Sequence, residues 1–446
     1  MPLIDRDEPR FAEAAREMNE RSDYVVPFFN NQFRFDKPPL TYWFQAASYR
    51  VFGDNDFAAR FPSAIAAALV ALVLFSWGTR LRDERSGWWA AIIFTLSLQT
   101  FVHGKAAVAD MWLVLFVTLA HRAGYELLTR ERKIASWWWT FYIALAFAFL
   151  AKGPIGWTPF LTVILAKRFY PNQKSRLQLI PGITLMLAFV CAWGIPALLR
   201  THGEFFNVGI GKHVVARSFA TMEGHGASSL LTYVALLPFY FVTLLASFFP
   251  WSIKLSALWK NLRSHCDAVD RFLLTGALII FGIFTLVQTK LPHYTLPALP
   301  LLALLMAIRF HDLRLSRTLA ISAAFNYLVV ALVIAPFSTR FFPSYTLARD
   351  SQRDLQPPME FGAVGFNEPS LVWYFRKEIR GFMTMLKRKN AAEYMSKPGP
   401  RFIVLPTQAA SELFPSPDPR WKNYRADGFN SAKGERTDLT LLLKAE

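Results

Sequence analysis

Ten apolar blocks between residues 59 and 338 decide most of what this chain can become. They fall near 59–78, 88–103, 107–120, 137–151, 154–167, 178–199, 229–250, 272–288, 292–308 and 318–338. A helix needs ~20 apolar residues to cross the hydrocarbon of a bilayer. The longer blocks suffice alone, and the shorter ones need tilt or help from their flanks. Trp88, Trp89, Trp137, Trp138, Trp139 and Trp251 stand at block ends, where amphipathic rings favour the membrane interface. Charged residues make up 18% of the chain, below the ~25% of a soluble domain. This composition excludes a disordered chain, a coiled coil and a disulfide-stapled miniprotein. The expected fold class is an all-α polytopic membrane protein.

A net charge of +17 raises the question of nucleic acid. The basic residues answer it by their placement, because they sit in short segments between apolar blocks rather than along one stripe. One alternating set of loops holds eighteen Lys and Arg, from Arg80, Arg82 and Arg85 to Arg309, Arg314 and Arg317; the opposite set holds six. Basic loops stay cytoplasmic, so the second set is expected outside. No nucleic-acid partner is expected; membrane lipids are. Residues 1–57 then lie outside although no apolar leader precedes them, and a further helix is expected ahead of Met1. The two cysteines, Cys191 and Cys266, match no metal or redox spacing.

Three regions follow: an outer segment 1–57, a helical membrane domain 58–339 and a small outer domain 340–446. In the last, strand-like runs 361–366, 402–406 and 439–443 alternate with helix-like runs 369–377, 380–396 and 407–414, which reads as α/β.

Ionisable groups at membrane depth are costly and mark function, and they collect on the outer side. Asp7-Glu8-Pro9-Arg10-Phe11 opens a helix whose apolar stripe is Phe11, Ala14, Ala15 and Met18, with Arg10, Glu13, Arg16 and Glu17 opposite. Such a helix should lie on the outer membrane surface, with Asp7 either a simple cap or a site carboxylate. Arg34-Phe35-Asp36-Lys37-Pro38-Pro39 presents a carboxylate and an ammonium on a backbone stiffened by two prolines. Asp110 stands at the outer mouth of a block with no basic neighbour in sequence, so it needs a tertiary partner. His213 and Arg217 share a face if their loop is helical. Lys290-Leu291-Pro292-His293-Tyr294 sets a histidine and a tyrosine at another block entrance. Carboxylates, cations and a tyrosine on one face suit a phosphate-bearing substrate.

The order Asp-Glu-Pro-Arg-Phe, then Asp-Lys-Pro-Pro-Leu-Thr-Tyr-Trp, then Lys-Leu-Pro-x-Tyr resembles the bacterial aminoarabinose transferase family. These are GT-C glycosyltransferases distantly related to protein O-mannosyltransferases. The resemblance covers residues 5 to about 340. It implies a GT-C-like helical bundle, a sugar donor carried on polyprenyl phosphate, and transfer to a lipid A-like or other envelope acceptor at the periplasmic face of the bacterial inner membrane. By position it implies catalytic roles for Asp7 and Asp110, and donor-phosphate contacts from Arg10, Lys37, Arg217 and Tyr294. It also implies a divalent ion, Zn or Mg, between Asp36 and His213. Phe11 stands where the family usually has tyrosine, and Asp36 where it often has glutamate. A transporter or flippase of lipid-linked sugars is the alternative, and it would place polar residues on both faces.

Overall fold

The computed structural model describes residues 1–130, 135–171, 177–216, 230–309 and 313–445. Nine helices, each beginning in residues 7–179, build the front half: α1 (Asp7–Arg21), α2 (Leu40–Phe52), α3 (Asp56–Leu81), α4 (Glu84–Thr95), α5 (Leu98–His103), α6 (Asp110–Thr129), α7 (Ala135–Lys152), α8 (Thr158–Ala166) and α9 (Leu179–Arg200). Among the described residues, four helices are long and apolar enough to cross a membrane: Asp56–Leu81, Leu179–Arg200, Ala268–Leu286 and Arg314–Phe341. A pair bent by 112°, Leu231–Ser247 with Trp251–Ser264, makes a fifth if it is one span.

The remaining apolar blocks are helical too, but several are broken where the sequence dictates. Pro154 opens a 3-10 turn before α8, and Pro292–Ala298 forms another before the helix Leu299–Arg309. Proline lacks the amide that would continue an α-helix. Starts are equally local: the Asn55 side chain accepts from the Ala58 amide at the head of α3, and Asp83 from the Ser86 amide at the head of α4. Helices α3 and α4 approach closely because Gly78 and Gly87 face each other; a Cβ on Gly87 would run into the Phe75 carbonyl. Small residues permit such contacts between membrane helices.

The C-terminal part is a small α/β domain. Its sheet has five strands in the order β4-β3-β5-β7-β6: β3 (Glu360–Ala363), β4 (Met383–Met385), β5 (Arg401–Pro406), β6 (Lys422–Asn430) and β7 (Glu435–Lys444). A separate hairpin in the outer segment pairs β1 (Phe28–Phe29) with β2 (Gln32–Phe33). β3 runs parallel to β4 and β5, while β7 runs antiparallel to β5 and β6. Phe361, Phe375 and Phe402 meet in its core. Two expectations are corrected here. Run 380–396 is not one helix but β4 followed by the short helix Ala391–Ser396. Strand β6 had no counterpart in the sequence reading, because Lys-Asn-Tyr-Arg-Ala-Asp-Gly-Phe-Asn lies half out of the core and alternates poorly.

The surface-helix expectation for α1 is also corrected. Its apolar stripe packs inward, with Phe11 stacked on Tyr42 at 5.1 Å and the Tyr49 hydroxyl donating to the Ala12 carbonyl. Its polar face is buried as well, under the C-terminal domain. Glu13 accepts from both Arg16 and Arg376, the Arg16 Nη2 donates to the Trp373 carbonyl at 2.9 Å, and the Arg376 Nη2 to Glu20 at 2.8 Å. Helix α1 is therefore a wedge between the bundle and the outer domain, not a float on lipid.

The stretch ahead of α1 is tied to the same domain. Asp5 accepts from the Ser370 amide at 2.9 Å and its hydroxyl at 2.5 Å. Burial pushes the Asp5 carboxyl up to about 6, opposed by the Ser370 hydrogen bonds and Arg10 and assisted by Glu368. From about pH 4 to 6 the folded chain thus holds a proton that the unfolded chain has released. This group favours folding most at low pH, and its contribution is lost as pH rises through 6. Thermal unfolding of the detergent-purified protein is expected to show a more stable junction at pH 5 than at pH 7. Asp5→Asn should flatten that part of the profile; an unaltered profile in the variant would remove Asp5 as its source.

Candidate active site

Part of the polar set singled out above lines a cavity of about 720 Å³. Asp36, Lys37, Asp110, Lys152, His293 and Tyr294 line it, together with apolar side chains that include Phe35, Phe149, Trp157 and Trp193. A deep, mostly apolar pocket with a few convergent polar groups is the usual form of a small-molecule site.

Each polar group arrives by a local device. Pro38 and Pro39 end the outer loop and let α2 begin at Leu40, which holds Asp36 and Lys37 at the loop's tip. Asp110 is the first residue of α6, where the helix dipole favours a carboxylate. Lys152 ends α7, and Gly153 then turns the chain with φ of +82°, a conformation glycine adopts without strain. Tyr294 is delivered by the proline-started turn Pro292–Ala298.

The tertiary partner that Asp110 required is Lys152, whose Nζ lies 2.5 Å from its Oδ1 across 42 residues of sequence. The same ammonium lies 5.6 Å from the centre of the Tyr294 ring. His293 and His103 bring their rings to 5.3 Å. On the opposite wall the Arg34 Nη2 donates to Asp36 at 2.9 Å, its Nε donates to the Tyr42 hydroxyl at 3.0 Å, and the Lys37 Nζ reaches the Asp36 carbonyl at 3.1 Å and its carboxylate at 3.5 Å. Burial works against the Arg34 charge, but Tyr42, Asp36 and Asp7 outweigh it and hold the guanidinium protonated. Burial pushes the Tyr42 hydroxyl up to about 12 in spite of Arg34.

Of the residues the sequence nominated, Asp36, Lys37, Asp110 and Tyr294 share the cavity. Asp7 does not line it; it is exposed at the start of α1, and its charge acts on Arg34 and Tyr42 behind the cavity wall. Arg10 does not line it either, and its charge acts on Asp5. Arg217 lies outside the described residues. His213 belongs to the π-helical segment Phe205–Ala216, and its side chain is likewise outside the description. Among the described residues no group of three or more His, Cys, Asp or Glu side chains could hold a metal ion. Asp36, with one oxygen on Arg34 and the other near Lys37, does not fit a metal ligand as placed. Arg34 is an organiser that the sequence reading gave no role; its place two residues before Asp36 was the available signal.

Residues 36–195 match the dolichyl-phosphate-mannose-protein mannosyltransferase family. An undecaprenyl phosphate-alpha-4-amino-4-deoxy-L-arabinose arabinosyl transferase of Yersinia pestis is 31% identical over 313 residues, which is 68% of this chain and 54% of that protein. The crystal structure of ArnT from Cupriavidus metallidurans bound to undecaprenyl phosphate superposes with a TM-score of 0.77 at 17% identity, covering 99% of this chain and 94% of that one. The chain has the fold of that protein and is similar to aminoarabinose transferases in sequence. An uncharacterised protein of Aquifex aeolicus is 27% identical over 350 residues, 76% of this chain and 66% of that protein. The aminoarabinose-transferase-like chain thus spans about half the length of the curated transferases it matches. Its membrane character follows from the same fold and from its long apolar helices.

Proposed function

We propose that this protein moves a sugar from a polyprenyl-phosphate donor to a lipid or other cell-envelope acceptor, at the periplasmic side of a bacterial inner membrane. The observation that carries the reading is the cavity itself, where two lysines, two carboxylates and a tyrosine converge at the head of an apolar wall. A prenyl chain suits the wall, and a phosphate suits Lys37 and Tyr294. The likeness to transferases over 68% of the chain supports the same reaction class.

The chemistry is a single displacement that inverts the anomeric carbon. The acceptor oxygen forms a bond to that carbon as the bond to the phosphate oxygen breaks, and the electron pair leaves with the lipid phosphate. Lys37 stabilises the developing charge, joined by Arg217, while the Tyr294 hydroxyl donates to the same phosphate. Lys152 holds Asp110 in place beside them. The resemblance, not the cavity lining, gives Asp7 its role here: taking the proton of a hydroxyl acceptor, or orienting an acceptor that is already ionised. No step passes through a metal ion, because Asp36 is engaged by Arg34 and Lys37. A flippase is the weaker reading: it needs polar groups along a path through both faces, whereas Asp36, Lys37, Asp110, Lys152 and Tyr294 line one cavity.

Purified protein given a polyprenyl-phosphate sugar with a radiolabelled sugar and an envelope lipid extract is expected to move the label to the extract. Asp7→Asn is expected to abolish transfer while the protein still folds, judged by its elution as a single species. Undiminished turnover in that variant would withdraw the role of Asp7, and label that stays on the donor with wild-type protein would withdraw the reaction.

A further inference from the structure

A second pocket opens on the outer side of α1, away from the transfer cavity. It measures about 370 Å³ and is lined by Arg16, Asn19, Glu20, Tyr24, Tyr49, Arg50, Gly53 and Asp54. That is within the ~300–1,000 Å³ of small-molecule sites. Its polar groups are already arranged in relays. The Arg50 Nη2 donates to the Tyr24 hydroxyl at 2.6 Å, which donates to Asn19 at 2.9 Å. On the other wall Arg16 is 4% exposed, yet its Nε and Nη1 have no hydrogen-bond acceptor. Nη1 faces Asp54 at 3.6 Å, beyond direct hydrogen-bond length. Buried donors left without acceptors are rare and costly.

Arg16 is answered by Glu13 and Glu20 by Arg376, and Arg50 and Asp54 are of opposite sign, so the lining favours no strongly charged ligand of either sign. What such a set can satisfy is a ligand that donates and accepts at neighbouring positions while showing an apolar face to a ring. Sugar hydroxyls do this, and Tyr24 and Tyr49 supply the rings. We infer that this pocket is a remote subsite for a neutral sugar of the acceptor. The inference rests on the transferase reading and makes it narrower: the acceptor carries a glycan.

The test uses the full chain in detergent with maltose and N,N′-diacetylchitobiose as probes. Saturation-transfer NMR is expected to show contact with the protons of at least one disaccharide, reduced about tenfold in an R50Q/D54N double variant. Arg50 is exposed and Asp54 half-exposed, so neither change opens a cavity in the core. In transfer assays the same variant is expected to raise the acceptor KM about tenfold and to hold kcat within about twofold. No saturation transfer to either sugar in the wild type, or equal transfer in the variant, overturns the subsite. If the wild type moves no labelled sugar from donor to acceptor, the transferase reading fails, and the NMR comparison still decides whether the pocket binds sugar.

Discussion

Replacement of Lys37 by alanine is expected to lower sugar transfer by about 10²–10³-fold, the cost of removing one preorganised group from a developing anion. The effect should fall on kcat more than on donor KM, because the phosphate gains negative charge only as the glycosidic bond breaks. Position makes Lys37 the choice over Lys152. Lys152 is held at 2.5 Å from the Asp110 carboxylate, so its charge is largely answered within the protein. Lys37 lies 3.5 Å from the Asp36 carboxylate, which Arg34 engages more closely at 2.9 Å. Lys37→Arg should recover part of the rate by keeping the charge, with a loss that reflects the different shape of a guanidinium. Initial rates with radiolabelled donor, measured across donor concentrations, separate the two parameters. A loss smaller than about tenfold in Lys37→Ala would move the phosphate contact to another residue.

Arg376→Ala should be the most destabilising single change at the interface between α1 and the outer domain, by about 3–5 kcal/mol. The Arg376 side chain is 3% exposed and meets Glu13, Glu17 and Glu20. Glu13 and Glu17 are fully buried. Burial raises the Glu13 carboxyl, and Arg16 and Arg376 oppose that rise. Removing Arg376 leaves Glu13 with Arg16 alone and Glu17 with the part-exposed Arg21 at 3.3 Å, and an under-paired buried charge costs far more than a pair contributes. A triple variant, Glu13→Leu with Arg16→Met and Arg376→Met, should regain most of the loss, since apolar packing can replace a buried charged set when all its members are removed together. Chemical unfolding followed by tryptophan fluorescence measures both. A single-variant effect below about 1 kcal/mol would mean that the pair is solvated in solution. Loosened α1 carries Asp7 with it, so transfer should fall alongside stability.

Much of this was legible beforehand. The apolar blocks gave helices because length and lack of charge leave few other structures. The proline pairs marked where helices had to start or break, and Asp110 signalled a partner by standing at a block mouth without one. The existence of strands β3, β5 and β7 was marked by three strand-like runs, while β6 hid because a polar edge strand has little pattern to show.

What composition and periodicity determined, then, is local: which segments coil into helices, which face of each is oily, and which side collects ionisable groups. Those properties depend on residues a few positions apart. Only the assembled chain decided that Lys152 answers Asp110, that Arg34 sits behind the cavity wall, and that both faces of α1 are covered. Periodicity reports that Glu13, Arg16 and Glu17 share a face; it carries no information about Arg376, about 360 residues away, which closes over them. The energy of such contacts exists only once distant segments meet, and for that reason the tertiary structure alone could supply them.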